Sequence, residues 1–398
     1  MMALDTVSGY FTRDGRSYCI IDSDREFKEC TDDIIGTLDY SESFRRIYSH
    51  PVSGENVFKF NYGPSTGGMI ETLDLKIYTY GERILSLDVL PGYKQRQIRI
   101  TGESKDLALL RIERLNGFHS FSYSTLFSSA VERMLEIPVS QEVRYARIIL
   151  LEIERITSHI FKTARLCESA SQNIASYALM GLRERLMRAI AEGTGHRYLF
   201  GVNKIGGIRR KIDLDRIVKV ARGVVNEYVN IRNGLFVSRI FIDRIENTCR
   251  AEYSFARGPV LRAAGIRYDF RMHDPYYSGI DFIPVTQNGG DSLSRFLVFS
   301  EEVERSMEII EKCMTPGERG DFLIPSHENE AYGIETPSGD ARMVFSINND
   351  HIGHIYLRTP SILNLEAFAR GIRGNVKTDI PFALESFGIW VSELGDVA

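Results

Sequence analysis

Over residues 140–167 the chain sets Val143, Ala146, Ile149, Leu150, Ile153, Ile156 and Ile160 at helical steps, with no glycine or proline among them. That period predicts an α-helix with a broad apolar stripe. A stripe so wide needs a large core or partner helices to cover it. Pro138 followed by Ser140 supplies a stop and then a serine cap for its start. The same period begins near Lys105, where Leu107, Leu110, Ile112, Leu115, Phe118 and Phe121 follow three- and four-residue steps. Further helices are expected over 174–192, ending near Gly193 and Gly195, and over 213–233, 239–247, 292–313 and 362–371. The stretch 258–288 reads as a loop, and Pro316-Gly317 as a break.

Elsewhere the period is two. Residues 69–75 and 84–89 alternate apolar and polar side chains about a turn at Tyr80-Gly81-Glu82, and 334–359 also reads as strands. Residues 1–55 are short mixed segments broken by turn signals such as Arg13-Asp14-Gly15, a small strand-rich N-terminal extension to a main domain over 56–398. The fold class is α+β, a helical bundle core with antiparallel sheet pieces at its ends. At 398 residues the chain exceeds the roughly 250–300 at which single cores stop growing, which suits one large elaborated domain.

A net charge of -4 without strong basic clustering argues against a nucleic-acid partner or an anionic-lipid surface. No stretch approaches the roughly 20 apolar residues that span a bilayer, and residues 1–10 lack a signal-peptide layout. Membrane association is therefore expected through partner proteins. The five cysteines, Cys19, Cys30, Cys167, Cys249 and Cys313, form no CxxC pair, so packed free thiols are expected rather than a self-contained zinc or iron–sulfur motif. There is no GxGxxG after a strand and no Walker sequence, so a nicotinamide cofactor, if the activity uses NAD, would sit on another subunit. Arg209, Arg210 and Lys211 read as a solvated face or a subunit contact.

Several segments occur in a telling order: Gly63-Pro64-Ser65-Thr66-Gly67-Gly68, Pro91-Gly92-Tyr93-Lys94-Gln95-Arg96, Leu151-Glu152-Ile153-Glu154-Arg155 with His159, and Leu182-Arg183-Glu184-Arg185. Gly206-Gly207-Ile208-Arg209-Arg210, Gly258-Pro259-Val260-Leu261-Arg262-Ala263-Ala264-Gly265, Asp281-Phe282-Ile283-Pro284-Val285 and residues 355–360 complete the series. Over roughly residues 56–390 the chain resembles the large-subunit family shared by energy-converting nickel–iron hydrogenases and the 49 kDa subunit of respiratory complex I. Gly67-Gly68 and the Lys94 loop look closest to formate hydrogenlyase-type (hydrogenase 4) complexes.

The resemblance also carries departures. Hydrogenase members hold nickel and iron on two pairs of cysteines; at the matching places this chain has Asn116 and His119, and Trp390 and Glu393. Nickel there needs soft thiolate donors, which these four side chains cannot supply. No metal and no hydrogenase chemistry are expected. Complex I members place a histidine in the first hairpin loop, where this chain has Ser65, Thr66 and Gly67. Their quinone-contacting tyrosine precedes a Leu-His-Ser-Phe run; here Phe118-His119-Ser120-Phe121 follows Gly117, which keeps the histidine and loses the tyrosine. Tyr123, one helical turn on, could supply a phenol from a neighbouring position.

By family position, Glu113 and His119 are expected to move protons, histidine titrating near neutrality, and Arg262 to stabilise charge in a central cavity. Thr66, Tyr123, Asn116, Trp390 and Glu393 are expected to line it. Plainer readings stand beside these. They are a core histidine bonded to backbone, a surface ion pair for Glu113 and a buried structural ion pair for Arg262. His159, with Glu154 and Arg155, fits helix packing better than chemistry, and Trp390 either plugs the vacated metal space or anchors the tail.

The resemblance implies a peripheral subunit at the cytoplasmic face of a membrane-bound, ion-translocating oxidoreductase of the NADH–quinone or hydrogenase-4 type. It would form the acceptor cavity with an iron–sulfur small subunit whose 4Fe-4S cluster delivers electrons, beside antiporter-like membrane subunits. Quinone is the candidate acceptor, and no cofactor is expected in this chain. The alternative is a non-catalytic scaffold for the iron–sulfur subunit and membrane arm.

Overall fold

The computed structural model describes residues 7–13, 16–21, 27–29, 51–64, 73–91, 96–251, 256–315, 331–395 and 397. Strands β1 (Val7–Arg13), β2 (Arg16–Ile21) and β3 (Phe27–Glu29) form one antiparallel sheet. A second holds β4 (Val57–Tyr62), β5 (Asp74–Tyr80) and β6 (Arg83–Leu90) in that order, with Gly81 at positive φ in the β5–β6 turn. Helices α1 (Lys105–Ile112), α2 (Ser120–Met134), α3 (Gln141–Ser169) and α4 (Asn173–Thr194) follow. After the two-residue strands β7 (Asn203–Lys204) and β8 (Gly207–Ile208) come α5 (Leu214–Phe236), α6 (Arg239–Ile245), α7 (Pro259–Ala263) and α8 (Ser292–Met314). A third sheet of β9 (Ala331–Thr336), β10 (Gly339–Asn348) and β11 (His351–Arg358) precedes α9 (Pro360–Gly371) and α10 (Ile380–Phe387). The α+β arrangement is the one the periods predict.

The long stripe is α3, and it starts where expected: Ser140 is extended and its side chain accepts the Val143 N–H at 3.4 Å. The stripe alone understates its position. Every residue of 147–164 is buried, because α4, α8 and α10 pack around the helix and cover the faces the stripe leaves bare. Glu152, Glu154, Arg155, His159 and Lys162 are consequently inside the protein. Asp213 and Asp291 cap α5 and α8 by accepting the N–H groups of Arg216 and Ser294. Gly195 closes α4 in the left-handed conformation.

Two readings are corrected. The helical period starting near Lys105 is broken between α1 and α2. There the Asn116 side chain accepts the Phe118 N–H at 2.9 Å and turns the chain before α2 begins. The tail after 371 carries α10 and a 3-10 turn at Val391–Leu394. The stretch 258–288 contains α7 and two short 3-10 turns. The expected strand at 69–75 lies mostly outside the described residues, with β5 starting at Asp74, and Pro316-Gly317 lies wholly outside them.

A second core joins sheet to tail. Leu75, Ile77, Leu87 and Val89 of β5 and β6 pack with Leu365, Phe368, Phe387 and Leu394. This holds the C-terminal segment beside the bundle. On the bundle's other side, α7 and the β9–β10 hairpin approach backbone to backbone. A Cβ on Gly258 would lie 2.3 Å from the Gly339 Cα, so neither position has room for a side chain. No described helix is long and apolar enough to cross a membrane.

Ile153 is fully buried in the middle of α3. Ile153→Ala is expected to destabilise the protein by about 2–5 kcal/mol, read as a lowered urea midpoint at unchanged slope.

Candidate functional site

The C-terminal segment and the start of α2 meet inside the protein, and the four positions aligned with cysteines meet there too. His119 occupies the cap position of α2, but its side chain makes no capping bond. Its Nδ1 lies 2.7 Å from Glu393 Oε1 and, against an ionised carboxylate, donates to it. Asn116 Nδ2 donates to the same oxygen at 2.7 Å, and Ser361 Oγ donates to Glu393 Oε2 at 2.5 Å. The Trp390 N–H donates to Ser361 Oγ at 3.1 Å, so one hydroxyl ties the carboxylate to the tail backbone. Ser158 of α3 stands 3.4 Å from His119 Nε2. The Trp390 ring stacks on Phe118 at 4.3 Å and meets the His119 ring edge-on at 5.8 Å.

Glu393, His119 and Asn116 are all buried, and the electrostatics follow from that. Burial lowers the His119 pKa against the pull of Glu393. For Glu393 burial acts upward, yet His119, Ser361 and Asn116 outweigh it and leave the carboxyl below its ordinary value. At neutral pH the pair is a carboxylate accepting from a neutral imidazole. Tyr123 lies in the first turn of α2, fully buried. Burial and the Glu393 charge raise its phenol well above the usual range, and its hydroxyl has no well-formed hydrogen bond among the described residues.

These donors do not fit a nickel–iron centre. An amide, an imidazole, an indole and a carboxylate offer no thiolate, and three of them already spend their polar atoms on one another. Among the described residues, Cys167, Cys249 and Cys313 are buried and form no disulfide, and no group of three or more His, Cys, Asp or Glu is arranged to hold a metal.

The other expected residues lie apart from this network. Glu113 caps the end of α1, buried, and accepts the Gly201 N–H at 2.9 Å and 3.1 Å, with Arg114 at 3.5 Å. Burial raises its pKa. Arg262, on α7 and fully buried, reaches Glu302 at 2.5 Å, Glu335 at 3.0 Å and Asp269 at 3.4 Å. Arg271 extends this cluster to Asp269 at 2.6 Å and Glu152 at 3.1 Å, and His159 Nε2 meets Glu302 at 2.6 Å. Burial works against the Arg262 charge, but the three carboxylates hold its pKa above the ordinary value. Burial and the charge of Asp269 push Glu335 up to about 7. Thr66 lies outside the described residues.

Sequence reasoning found the four converging positions through the resemblance. It missed Ser361, Lys162 and the carboxylates around Arg262. One signal was available, since Glu152, Glu154, Arg155 and Lys162 are too many charges for a helix with so wide an apolar stripe unless partners meet them inside. Nothing periodic marks Glu302 or Glu335 as those partners.

The family model for the respiratory-chain NADH dehydrogenase 49 Kd subunit matches residues 173–332. The chain is 29% identical over 362 residues to an NADH-quinone oxidoreductase subunit of Opitutus terrae, covering 83% of this chain and 88% of that protein. The corresponding NADH-quinone oxidoreductase subunit of Syntrophobacter fumaroxidans is 28% identical over 370 residues, covering 85% and 97%. Among solved structures, a chain of the membrane-bound sulfane sulfur reductase, an archaeal respiratory membrane complex, superposes with a TM-score of 0.77 at 23% identity, over 87% of this chain and all of that one. The chain is thus similar to the complex I 49 kDa subunit over residues 173–332 and has the fold of that respiratory-complex chain.

Three outcomes are expected. Nitrogen NMR of His119 reads a neutral ring protonated at Nδ1 at pH 7, and Glu393→Gln, which removes the carboxylate's upward pull, lowers its pKa further. A ring protonated only at Nε2 contradicts the arrangement. Arg262→Ala strands buried carboxylates and costs about 3–5 kcal/mol in thermal or denaturant melting. Glu335 carries a folded pKa near 7 against an ordinary 4.5, so its stabilising contribution is complete below about pH 4.5 and lost as pH rises through 7. Glu335→Gln therefore flattens the decline of melting temperature across that window.

Proposed function

We propose that this chain is a peripheral subunit of a membrane-bound, ion-translocating oxidoreductase related to NADH–quinone oxidoreductase and hydrogenase-4 complexes. With an iron–sulfur small subunit it forms the cavity where electrons meet a quinone or another small acceptor. The relatives' names support the quinone reading, and the His119–Glu393 pair carries it. Reducing a quinone to a quinol takes two electrons and two protons. The partner's 4Fe-4S cluster supplies the electrons. This chain's part is to hold protons close by, and a histidine on a buried carboxylate suits that task, because the carboxylate stabilises the imidazolium when a second proton arrives at Nε2. Asn116 and Ser361 fix the carboxylate so that it cannot swing away from the ring. Glu113 serves protons from the outer side, and Tyr123 offers a phenol beside Glu393. The subunit sits on the cytoplasmic face against antiporter-like membrane subunits, with residues 1–55 as an appended extension.

A scaffold without catalysis is the second reading, and one observation favours it. Trp390 packs against Phe118, Phe161 and His119, so side chains of this chain fill the place where the tail meets α2. On this reading the fold survives to seat the iron–sulfur subunit and the membrane arm.

Purifying the native complex, measuring its metals and assaying quinone reduction separates the two. Iron without nickel, with quinone-dependent turnover, is the expected result, and His119→Ala then lowers turnover about 100-fold or more. Turnover that ignores both quinone and His119 leaves the scaffold. Stoichiometric nickel in this subunit overturns the reading of the four substituted positions.

A further inference from the structure

Beside the start of α2 lies a small cleft that the proposed site does not use. Arg197 is exposed at its lip and Phe118 and Tyr198 are half-buried, while Glu154, Thr157 and Arg183 are buried further in. Its volume is about 10 Å³, room for one water molecule. At its inner end Glu154 of α3 does the capping that His119 leaves undone. One carboxylate oxygen accepts the Phe121 N–H at 2.6 Å; the other accepts the Ser122 N–H at 3.0 Å and the Ser122 hydroxyl. One turn along the same face of α3, Ser158 stands against His119 Nε2. Glu154 and Ser158 thus touch α2 on either side of its first residue, one at the cleft and the other at the imidazole.

We propose that Glu154 is a second proton-entry group of this site, separate from Glu113, taking protons from water in the cleft and passing them by way of the Ser158 hydroxyl to His119 Nε2. This rests on the reading of His119 and Glu393 as the proton-holding pair. In each transfer Glu154 gives up one proton and becomes a carboxylate. Ser158 donates its own proton to Nε2 while accepting the one from Glu154, through a bridging water over the helical turn between them. His119 becomes an imidazolium on Glu393, and the acceptor then takes the proton. Cleft water reprotonates Glu154.

The surroundings support the role. Burial raises the Glu154 pKa to about 7, against the opposing pull of Ser122, the Phe121 and Ser122 amides and Arg155, so the carboxyl exchanges its proton near neutrality. The charged and titratable groups facing it are Arg155 on its own helix, Arg183 on α4, Arg197 and Tyr198 beyond α4, and Tyr123 on α2. A carboxylate present only to cap α2 would need no water-sized opening behind it.

Infrared difference spectroscopy of the native complex, titrated through pH 7, tests the group directly. A protonated-carboxyl band that vanishes as pH rises, is missing in Glu154→Gln and persists in Glu335→Gln is expected. Glutamine keeps one oxygen, enough for the Phe121 or the Ser122 amide but not both, so part of the cap is retained, and the melting temperature measures what is lost. Quinone-dependent turnover of Glu154→Gln is expected to fall about 100-fold, with Glu154→Asp recovering part of it and a displaced pH profile. An unchanged band in Glu154→Gln overturns the proposal. So does wild-type turnover in that variant, or equal loss in both variants at every pH with a lowered melting temperature, which marks a purely structural cap. A wild-type complex that reduces no quinone counts against the oxidoreductase reading instead, and the band then decides on Glu154 alone.

Discussion

The structure depends on a charged helix buried on every side. From 147 to 164 every residue of α3 is buried, and a charge in that position is tolerated only when paired and hydrogen-bonded. The rest of the molecule supplies those partners. Glu132 and Tyr276 meet Arg147, Arg271 meets Glu152, the first amides of α2 meet Glu154, and Glu302 meets His159. Lys162 donates to the Pro337 carbonyl and Ser338 of the β9–β10 turn. Burial nevertheless drags its pKa down to about 7. The partners come from several elements, so these contacts fix how α2, α8, the 3-10 turns and the third sheet dock on the central helix. Apolar packing alone specifies such docking less sharply.

The same economy shapes the site. Asparagine, histidine and glutamate at three of the four aligned positions hold one another by short hydrogen bonds, and the fourth, Trp390, fills space by stacking. Four positions at which the hydrogenases this chain resembles carry metal donors here form a set joined by hydrogen bonds and ring stacking. The geometry suits proton handling better than ligation, because Asn116, the His119 Nδ1 and Glu393 are committed to one another and the histidine keeps only a weak contact at Nε2.

Arg262 illustrates how a residue's type can be read without its task. A cavity role and a buried ion pair were both open from its loop. The structure surrounds it with Glu302, Glu335 and Asp269 and leaves its guanidinium fully buried. Within that cluster, burial and the charge of Asp269 push Glu335 up to about 7. The close approach of Gly258 and Gly339 brings α7 against the hairpin and so sets the Arg262–Glu335 distance.

By itself the sequence determined the elements that carry strong local signals. The stripe from Val143 to Ile160, the Ser140 cap, the Gly195 stop and the turn at Gly81 are local signals acting within one or two helical turns, and each sits where its period placed it. The resemblance, which needs only residue types in a family order, also set Asn116, His119, Trp390 and Glu393 at the places where hydrogenases carry soft donors. The tertiary structure alone decided which charges meet. Glu302 and Arg262 lie 40 residues apart, Glu393 and His119 lie 274 apart, and no period links such pairs. It also decided that Glu113 stands aside from His119 although they share one short loop, and that Glu154 rather than a local serine caps α2. Hydrogen bonds and ion pairs across the core depend on how elements pack, and packing is settled by the whole apolar surface at once rather than by any segment's own sequence.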